Sequence, residues 1–186
     1  LMELCDAFDL PLLLLCDTPG FMVGPESERT AAVRKMARLF AVASSISVPF
    51  FTLVLRKSYG LGAMAMAGGG AVGENVFHAS WPSAEAGPMN LEGIVELGFA
   101  KELATAARMP LVGKMARQAL YDKILGKLGT RAEALSVART METDDVIDPA
   151  ESREWIQHGM DVAGSTAGGR WRTRTDGGKK RPCVSP

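Results

Sequence analysis

The sequence predicts an α/β fold built around parallel strands. Two short, unbroken apolar runs, residues 10–16 and 49–56, are typical of strands buried on both faces. Between them, residues 27–47 carry apolar side chains at spacings of three and four, which predicts an amphipathic helix of about five turns. A strand, a helix and a second strand in this order form a parallel crossover unit.

The segments that follow continue the alternation of strands and helices. We expect, in chain order, a helix of small residues over about 61–67, a strand over 76–81, a short helix over 91–98, a helix-prone stretch over 101–128 that breaks near Pro110, a brief strand at 146–147 and a final helix. Pro149 suits the first turn of that final helix, where its missing amide hydrogen is not needed.

Composition bounds the kind of protein. A chain of 186 residues that is 47% apolar can bury the core of one domain. Lysine plus arginine equals aspartate plus glutamate at 21 each, so no overall field favours a nucleic acid or an anionic membrane. The longest apolar run is far below the roughly 20 residues of a membrane span. The ten methionines are expected to fill gaps in the core.

Cysteine usage and the two ends of the chain add further expectations. The three cysteines are far apart, which argues against a disulfide framework and a thiolate zinc site and favours a reducing cytoplasm. The first residue is Leu1 rather than methionine, which suggests a piece of a longer protein. We expect one domain over residues 1–162 and a basic, disordered tail over 163–186, which has six cations against one anion.

Residues 56–70 read RKSYGLGAMAMAGGG and have almost no side-chain bulk after Tyr59. Three interpretations compete. Gly60, Gly62 and Ala65 match a dinucleotide-binding pattern, but the acidic residue that should follow the next strand is absent from that place. Alternatively, small residues only let a helix pack closely on the sheet. The third possibility is an anion hole, in which main-chain amides at a helix start bind an oxygen that becomes negative.

Five ordered blocks carry a resemblance to a known family. They are CDTPGF, the helix AAVRKMARLFAVASSISVP, RKSYGLGAMAM, ASWPSAEAGPM with LEGIVEL, and DDVIDPAESR. In this order the sequence resembles the carboxyltransferase subunits of biotin-dependent acyl-CoA carboxylases, in particular the β-type chains of propionyl-CoA and acetyl-CoA carboxylases. The resemblance runs from about residue 1 to 158 and corresponds to the C-terminal half of such a subunit.

The resemblance implies a crotonase-like fold, in which β-β-α units stack into a spiral. It implies transfer of a carboxyl group from carboxybiotin on a carrier to the α-carbon of a short-chain acyl-CoA. Gly62 and Ala63 would form the oxyanion hole on the biotin side, and the ureido nitrogen of biotin would take the α-proton. Replacing Gly62 by valine is then expected to abolish transfer and leave the fold largely intact.

The resemblance also implies cofactor contacts and partners. Gly60, Tyr59, Gly20 and Phe21 would shape or line the biotin site, and Arg56 and Lys57 would attract carboxylate or phosphate at its mouth, although such residues are equally often paired within the protein. The implied partners are a CoA-binding half, the biotin carboxyl carrier protein, biotin carboxylase and further copies of the subunit. No metal, nucleic acid or membrane is expected.

Two alternatives to the forward reaction remain open. A decarboxylase subunit would run the same transfer backward, and a non-catalytic module would only bind the carrier or partner subunits. Among other residues, Asp144, Asp145 and Asp148 resemble a metal cluster, but Asp148 before Pro149 is better explained as a helix cap. Related enzymes usually have Tyr-Gly-Gly-Ala where this chain has Tyr-Gly-Leu-Gly-Ala, and the tail has no counterpart in them.

Overall fold

A parallel β-sheet forms the centre of the computed structural model, which describes residues 1–67 and 75–166. The strands of this part of the chain are β1 (Leu12–Thr18), β2 (Phe50–Tyr59), β3 (Asn75–Ser80), β4 (Glu85–Gly87) and β5 (Asp145–Val146). Their order is β1-β2-β3-β5, and β4 pairs with the end of β2 beyond the point that β3 reaches. The predicted α/β class with parallel pairing is therefore confirmed.

Helices surround this sheet and connect its strands. They are α1 (Met2–Ala7), α2 (Pro25–Arg29), α3 (Ala32–Ala43), α4 (Gly60–Met66), α5 (Leu91–Gly98), α6 (Ala100–Ala107), α7 (Gly113–Ala132), α8 (Ala134–Ala138) and α9 (Ser152–Thr166). A 3-10 turn at Pro149–Glu151 leads into α9, and the side chain of Asp148 caps it by accepting from the amide of Ala150 at 2.8 Å. The capping role predicted for Asp148 is confirmed.

Strand β2 is the most deeply buried strand of the described sheet, because other elements cover both of its faces. On one face, Phe51 packs with Phe77 of β3 under helix α9. On the other face, Phe50 packs with Leu12 of β1 and with Val42 of α3. The prediction of a strand buried on both faces therefore holds for the first half of β2.

Strand β1 does not fit the same prediction. It starts two residues later than expected, and its side chains alternate between buried and exposed positions. Leu13 and Leu15 are 42% and 50% exposed, whereas Cys16 is completely buried. The reason is that β1 lies at the end of the described sheet and only one of its faces is covered by described elements.

The single long helix predicted after β1 is two helices. Ala31 takes a left-handed conformation with φ of 55°, which separates α2 from α3. At the other end, the hydroxyl groups of Ser44 and Ser45 donate to the carbonyls of Ala41 and Val42. Serine side chains that bind local backbone in this way compete with the helix, so α3 ends at Ala43.

The later elements follow the predicted order. Helices α4 and α5 lie where they were expected, and the break near Pro110 separates α6 from α7. The third strand ends one residue early, and the indole of Trp81 donates to the hydroxyl of Ser152 at 2.9 Å. Most of the tail predicted over 163–186 lies outside the described residues. Within residues 1–67 and 75–166, no helix has the length and apolar character of a membrane span.

The methionines do not fill the core as expected. Eight of them are at least 37% exposed, namely Met22, Met64, Met66, Met89, Met109, Met115, Met141 and Met160. Most of the buried side chains are instead aliphatic residues, alanine and phenylalanine. The prediction was wrong because composition alone does not show which faces of the helices other elements cover.

Candidate functional site

Helix α4 begins directly where strand β2 ends, with Tyr59 as its N-cap residue. No side chain caps this helix. In a regular α-helix the amides of the first three residues have no acceptor within the helix, whereas the fourth amide reaches the carbonyl of the N-cap residue. By their place in the helix, the amides of Gly60, Leu61 and Gly62 therefore have no acceptor within α4 and could donate to a ligand. The amide of Ala63 has the carbonyl of Tyr59 as its regular acceptor.

Gly62 is glycine because another part of the chain touches it. A Cβ at this position would lie 2.6 Å from the carbonyl carbon of Gly20 and 2.8 Å from the backbone nitrogen of Phe21. The absence of a side chain at Gly62 is thus required by packing of α4 on the loop after β1. The expectation that Gly62→Val leaves the fold intact is wrong, since the new side chain would collide with backbone atoms of Gly20 and Phe21, and these can move only if the loop after β1 is displaced.

Gly60 has a separate reason to be glycine. Its φ of 60° is a conformation that side chains disfavour, and a Cβ would lie 2.8 Å from the carbonyl oxygen of Pro88. Gly20 likewise has a positive φ of 118°, and its amide donates to the hydroxyl of Thr18 at 3.2 Å. The structure therefore brings Gly20, Phe21, Tyr59, Gly60 and Gly62 close to one another, and their role in binding biotin stays a prediction.

The side chain of Tyr59 points into the protein. It is only 2% exposed, and its hydroxyl donates to Oε2 of Glu85 at 2.9 Å. Burial, followed by the hydrogen bond and the charge of Glu85, raises the pKa of the Tyr59 phenol. The phenol is therefore already engaged within the protein and does not serve as a ligand contact.

Arg56 and Lys57 lie at the same edge of the sheet, at the carboxyl ends of β1 and β2. The guanidinium of Arg56 is 3.1 Å from the Asp17 carboxylate, which also accepts from the amide of Lys57 at 3.1 Å. The hydrogen bond from Arg56 is the main reason that the pKa of Asp17 lies below its ordinary value. Arg56 is therefore paired within the chain, although its side chain remains 67% exposed.

A cleft gives access to the first turn of α4. A cavity of about 970 Å³ lies beside the helix, with Gly60, Ala63 and Met64 among its lining residues. Leu61, on the same turn, is 60% exposed. The cavity therefore reaches Gly60 at the start of the turn, and Leu61 beside it is exposed, whereas Gly62 is buried against the loop after β1.

Two residues of this site were not identified from the sequence as functional candidates. They are Glu85, the partner of Tyr59, and Leu61, whose amide precedes the pair implied by the resemblance. Nothing in the local pattern around Glu85 points to Tyr59, because the two are 26 positions apart. Leu61 could have been identified as a donor from the helix register, because the amides of the first three helical residues precede the first regular helical hydrogen bond.

Residues 1–174 match the carboxyl transferase domain family. A putative propionyl-CoA carboxylase β chain from Bacillus subtilis (strain 168) is 36% identical over 152 residues, which are 82% of this chain and 28% of the relative. The methylmalonyl-CoA decarboxylase subunit α of Propionigenium modestum is 34% identical over 152 residues, which are again 82% of this chain and 28% of the relative. The chain thus spans less than a third of the length of these relatives.

Solved structures agree with the family match. A single-chain, multi-domain long-chain acyl-CoA carboxylase is 45% identical, with a TM-score of 0.69 over 84% of this chain and 14% of that one. The transcarboxylase 12S hexamer, solved with methylmalonyl-coenzyme A bound, is 28% identical, with a TM-score of 0.73 over 88% of this chain and 29% of that one. These structural neighbours confirm the crotonase-like fold that the resemblance implied.

Proposed function

The chain belongs to the carboxyl transferase domain family, and on that premise we propose that it forms part of the biotin-side half of an acyl-CoA carboxyltransferase, since it spans less than a third of its relatives rather than half. Biotin carboxylated on a carrier would supply the carboxyl group as CO2 for the α-carbon of the acyl-CoA, and the ureido nitrogen freed by its departure would accept the α-proton. The role of this chain is to bind the ureido oxygen through main-chain amides as that oxygen becomes negative. The observation that carries the proposal is the uncapped first turn of α4, which is open to a cleft.

The helix register favours a particular pair of donors. Gly62 and Ala63 are the pair that the resemblance implies, but Ala63 is the fourth residue of α4. We therefore propose that Leu61 and Gly62 donate, with the helix dipole adding to their effect. A donor of this kind contributes on the order of 3 kcal/mol to lowering the barrier, because it is oriented before the charge develops.

The surroundings of this turn suit a neutral ligand that gains negative charge. Met64 and Pro88 give the cleft apolar walls, and a less polar environment strengthens each hydrogen bond to a developing charge. Glycine at 60 and 62 keeps the turn pressed against its neighbours, so the amides stay aligned.

Removal of one amide tests the proposal. We expect Leu61→Pro to lower kcat for carboxyl transfer about 100-fold, because proline has no amide hydrogen but is tolerated in the first turn of a helix. The assay uses this chain co-expressed with the CoA-binding half of the Bacillus subtilis relative, and measures transfer from carboxylated carrier to propionyl-CoA.

The matched control is Leu61→Ala, which removes the same exposed side chain and keeps the amide. We expect it to retain transfer within about threefold of the original. Circular dichroism of both variants shows whether the helices are preserved. A folded Leu61→Pro variant with more than about a tenth of the original kcat contradicts the proposed hole.

The reverse reaction is the second candidate, because a methylmalonyl-CoA decarboxylase subunit is 34% identical to this chain. The same amides would then stabilise the ureido oxygen during transfer from a malonyl-type thioester to biotin. Measuring transfer in both directions with the same complemented enzyme separates the two. Formation of carboxylated carrier from methylmalonyl-CoA, without forward transfer when carboxylated carrier is supplied, favours the decarboxylase.

A further inference from the structure

The start of α4 is held by the segment that contains β4. Strand β4 pairs in parallel with the last residues of β2, with Lys57 opposite Glu85 and Tyr59 opposite Gly87. Gly87 lies directly beside the Tyr59 ring, since a Cβ there would be 3.4 Å from it, in van der Waals contact. The main chain of Tyr59 is thus fixed at the point where the strand becomes the helix.

The side chain of Tyr59 is fixed by the same segment. Its hydroxyl donates to Glu85 at 2.9 Å, and the ring is almost completely buried. Glu85 is itself held, because it forms an isolated bridge with Glu133 and the preceding Ala84 accepts from the amide of Ala134 at 2.9 Å. A hydrogen bond between a buried phenol and a carboxyl oxygen is stronger than one between neutral groups.

We propose that Glu85 is a positioning residue for the oxyanion hole, acting through Tyr59 on the amides of Leu61 and Gly62. This inference rests on the proposed function. Tyr59 is the N-cap of α4, so a displacement of its main chain after loss of the anchoring hydrogen bond would carry the first amides of the helix with it. Catalysis by aligned donors is sensitive to displacements of about 1 Å, which can lower a rate about 100-fold.

Three variants separate positioning from general stability. Tyr59→Phe removes the hydroxyl, Glu85→Leu removes the acceptor, and Glu85→Gln keeps an acceptor oxygen. Glu92→Gln is the matched control, because the charge of Glu92 also acts on Tyr59 and its side chain is exposed. A purely electrostatic role predicts that both glutamine variants lower transfer, because each removes a charge that acts on Tyr59, whereas positioning predicts that both retain it.

Two measurements are made on these variants. The first is the position of the amide signals of Gly60, Leu61 and Gly62 in nitrogen-15 spectra of the 186-residue chain. We expect them to move in Tyr59→Phe and Glu85→Leu and to stay in both glutamine variants. The second is transfer by the complemented enzyme, where we expect the first two variants to lower kcat about tenfold and leave KM for acyl-CoA within about twofold.

The outcomes distinguish this inference from the proposed function. Loss of transfer in Leu61→Pro together with full transfer in Glu85→Leu contradicts the role of Glu85 alone. Retention of transfer in Leu61→Pro contradicts the hole and everything that depends on it. Unmoved amide signals in Glu85→Leu also overturn the inference. If that variant does not fold, Tyr59→Phe decides, because it differs from the original by one oxygen atom.

Discussion

Among individual residues, His78 combines burial with incomplete hydrogen bonding. Its Nδ1 lies 3.1 Å from the carbonyl oxygen of Glu142, and its Nε2 is buried without a partner among the described residues. Loss of solvent lowers the pKa of the imidazole below its ordinary 6.5, although Glu142 and Asp144 oppose this shift. The folded chain therefore disfavours the charged form of His78.

This burial predicts a dependence of stability on pH. Below about pH 6.5 the unfolded chain binds a proton at His78 that the folded chain does not, so the free energy of unfolding falls as the pH is lowered through that range. We expect His78→Asn to flatten the decrease between about pH 7 and pH 5. Urea unfolding at several pH values measures how steeply the free energy of unfolding depends on pH. An unchanged slope in His78→Asn, or an equal flattening in His158→Asn, whose side chain is exposed, contradicts the assignment.

The glycines show how far single residues could be predicted. The sequence alone shows that many of the side chains around Gly60 and Gly62 are small. It does not show what comes close to the backbone there, because the contacts are the main chain of Gly20, 42 positions away, and the carbonyl of Pro88. Small residues indicate a close approach, and only the folded chain identifies the neighbour.

At the scale of elements, the packing of α9 on the sheet is set by one small residue. Gly159 is buried, and a Cβ there would lie 2.8 Å from the ring of Phe51 and 2.9 Å from that of Phe77. These two rings pack against each other with centroids 5.4 Å apart. The helix can approach the sheet this closely only because residue 159 has no side chain.

Alanine substitutions at two glycines test this contact. We expect Gly159→Ala to lower the free energy of unfolding by about 1–3 kcal/mol, because the methyl group overpacks the core. Gly129→Ala, in α7 where nothing lies within 4 Å, is expected to raise it by up to about 1 kcal/mol through better helix propensity. Thermal and urea unfolding of both variants measure the difference. Equal effects at the two positions contradict close packing at Gly159.

Some features of the strands and helices could be predicted from the sequence, and others could not. The apolar run of β2 and the break between α6 and α7 were recognisable because local composition and Pro110 determine them. The exposure of β1 and the division between α2 and α3 were not. The first depends on which elements cover a sheet face, and the second on the left-handed conformation of Ala31, an alanine that carries no turn signal.

For the molecule as a whole, this chain contains only one side of the proposed reaction. We expect the isolated chain to transfer no carboxyl group to propionyl-CoA, because the thioester must be held by a CoA-binding half. Addition of that half from a relative should restore transfer, which labelled bicarbonate introduced through the carrier would measure. Turnover by the isolated chain contradicts this division of labour. Binding to the carrier without restored transfer favours a non-catalytic module.

The order of apolar runs, helical spacings and five short blocks determined the α/β class and the carboxyltransferase family from sequence alone, since these signals are local and survive without contacts. Tertiary structure alone decided that Gly62 packs on Gly20 and that Glu85 holds Tyr59. Both contacts join segments far apart in the chain. Their geometry depends on how strands align in the sheet, which no local pattern of residues encodes.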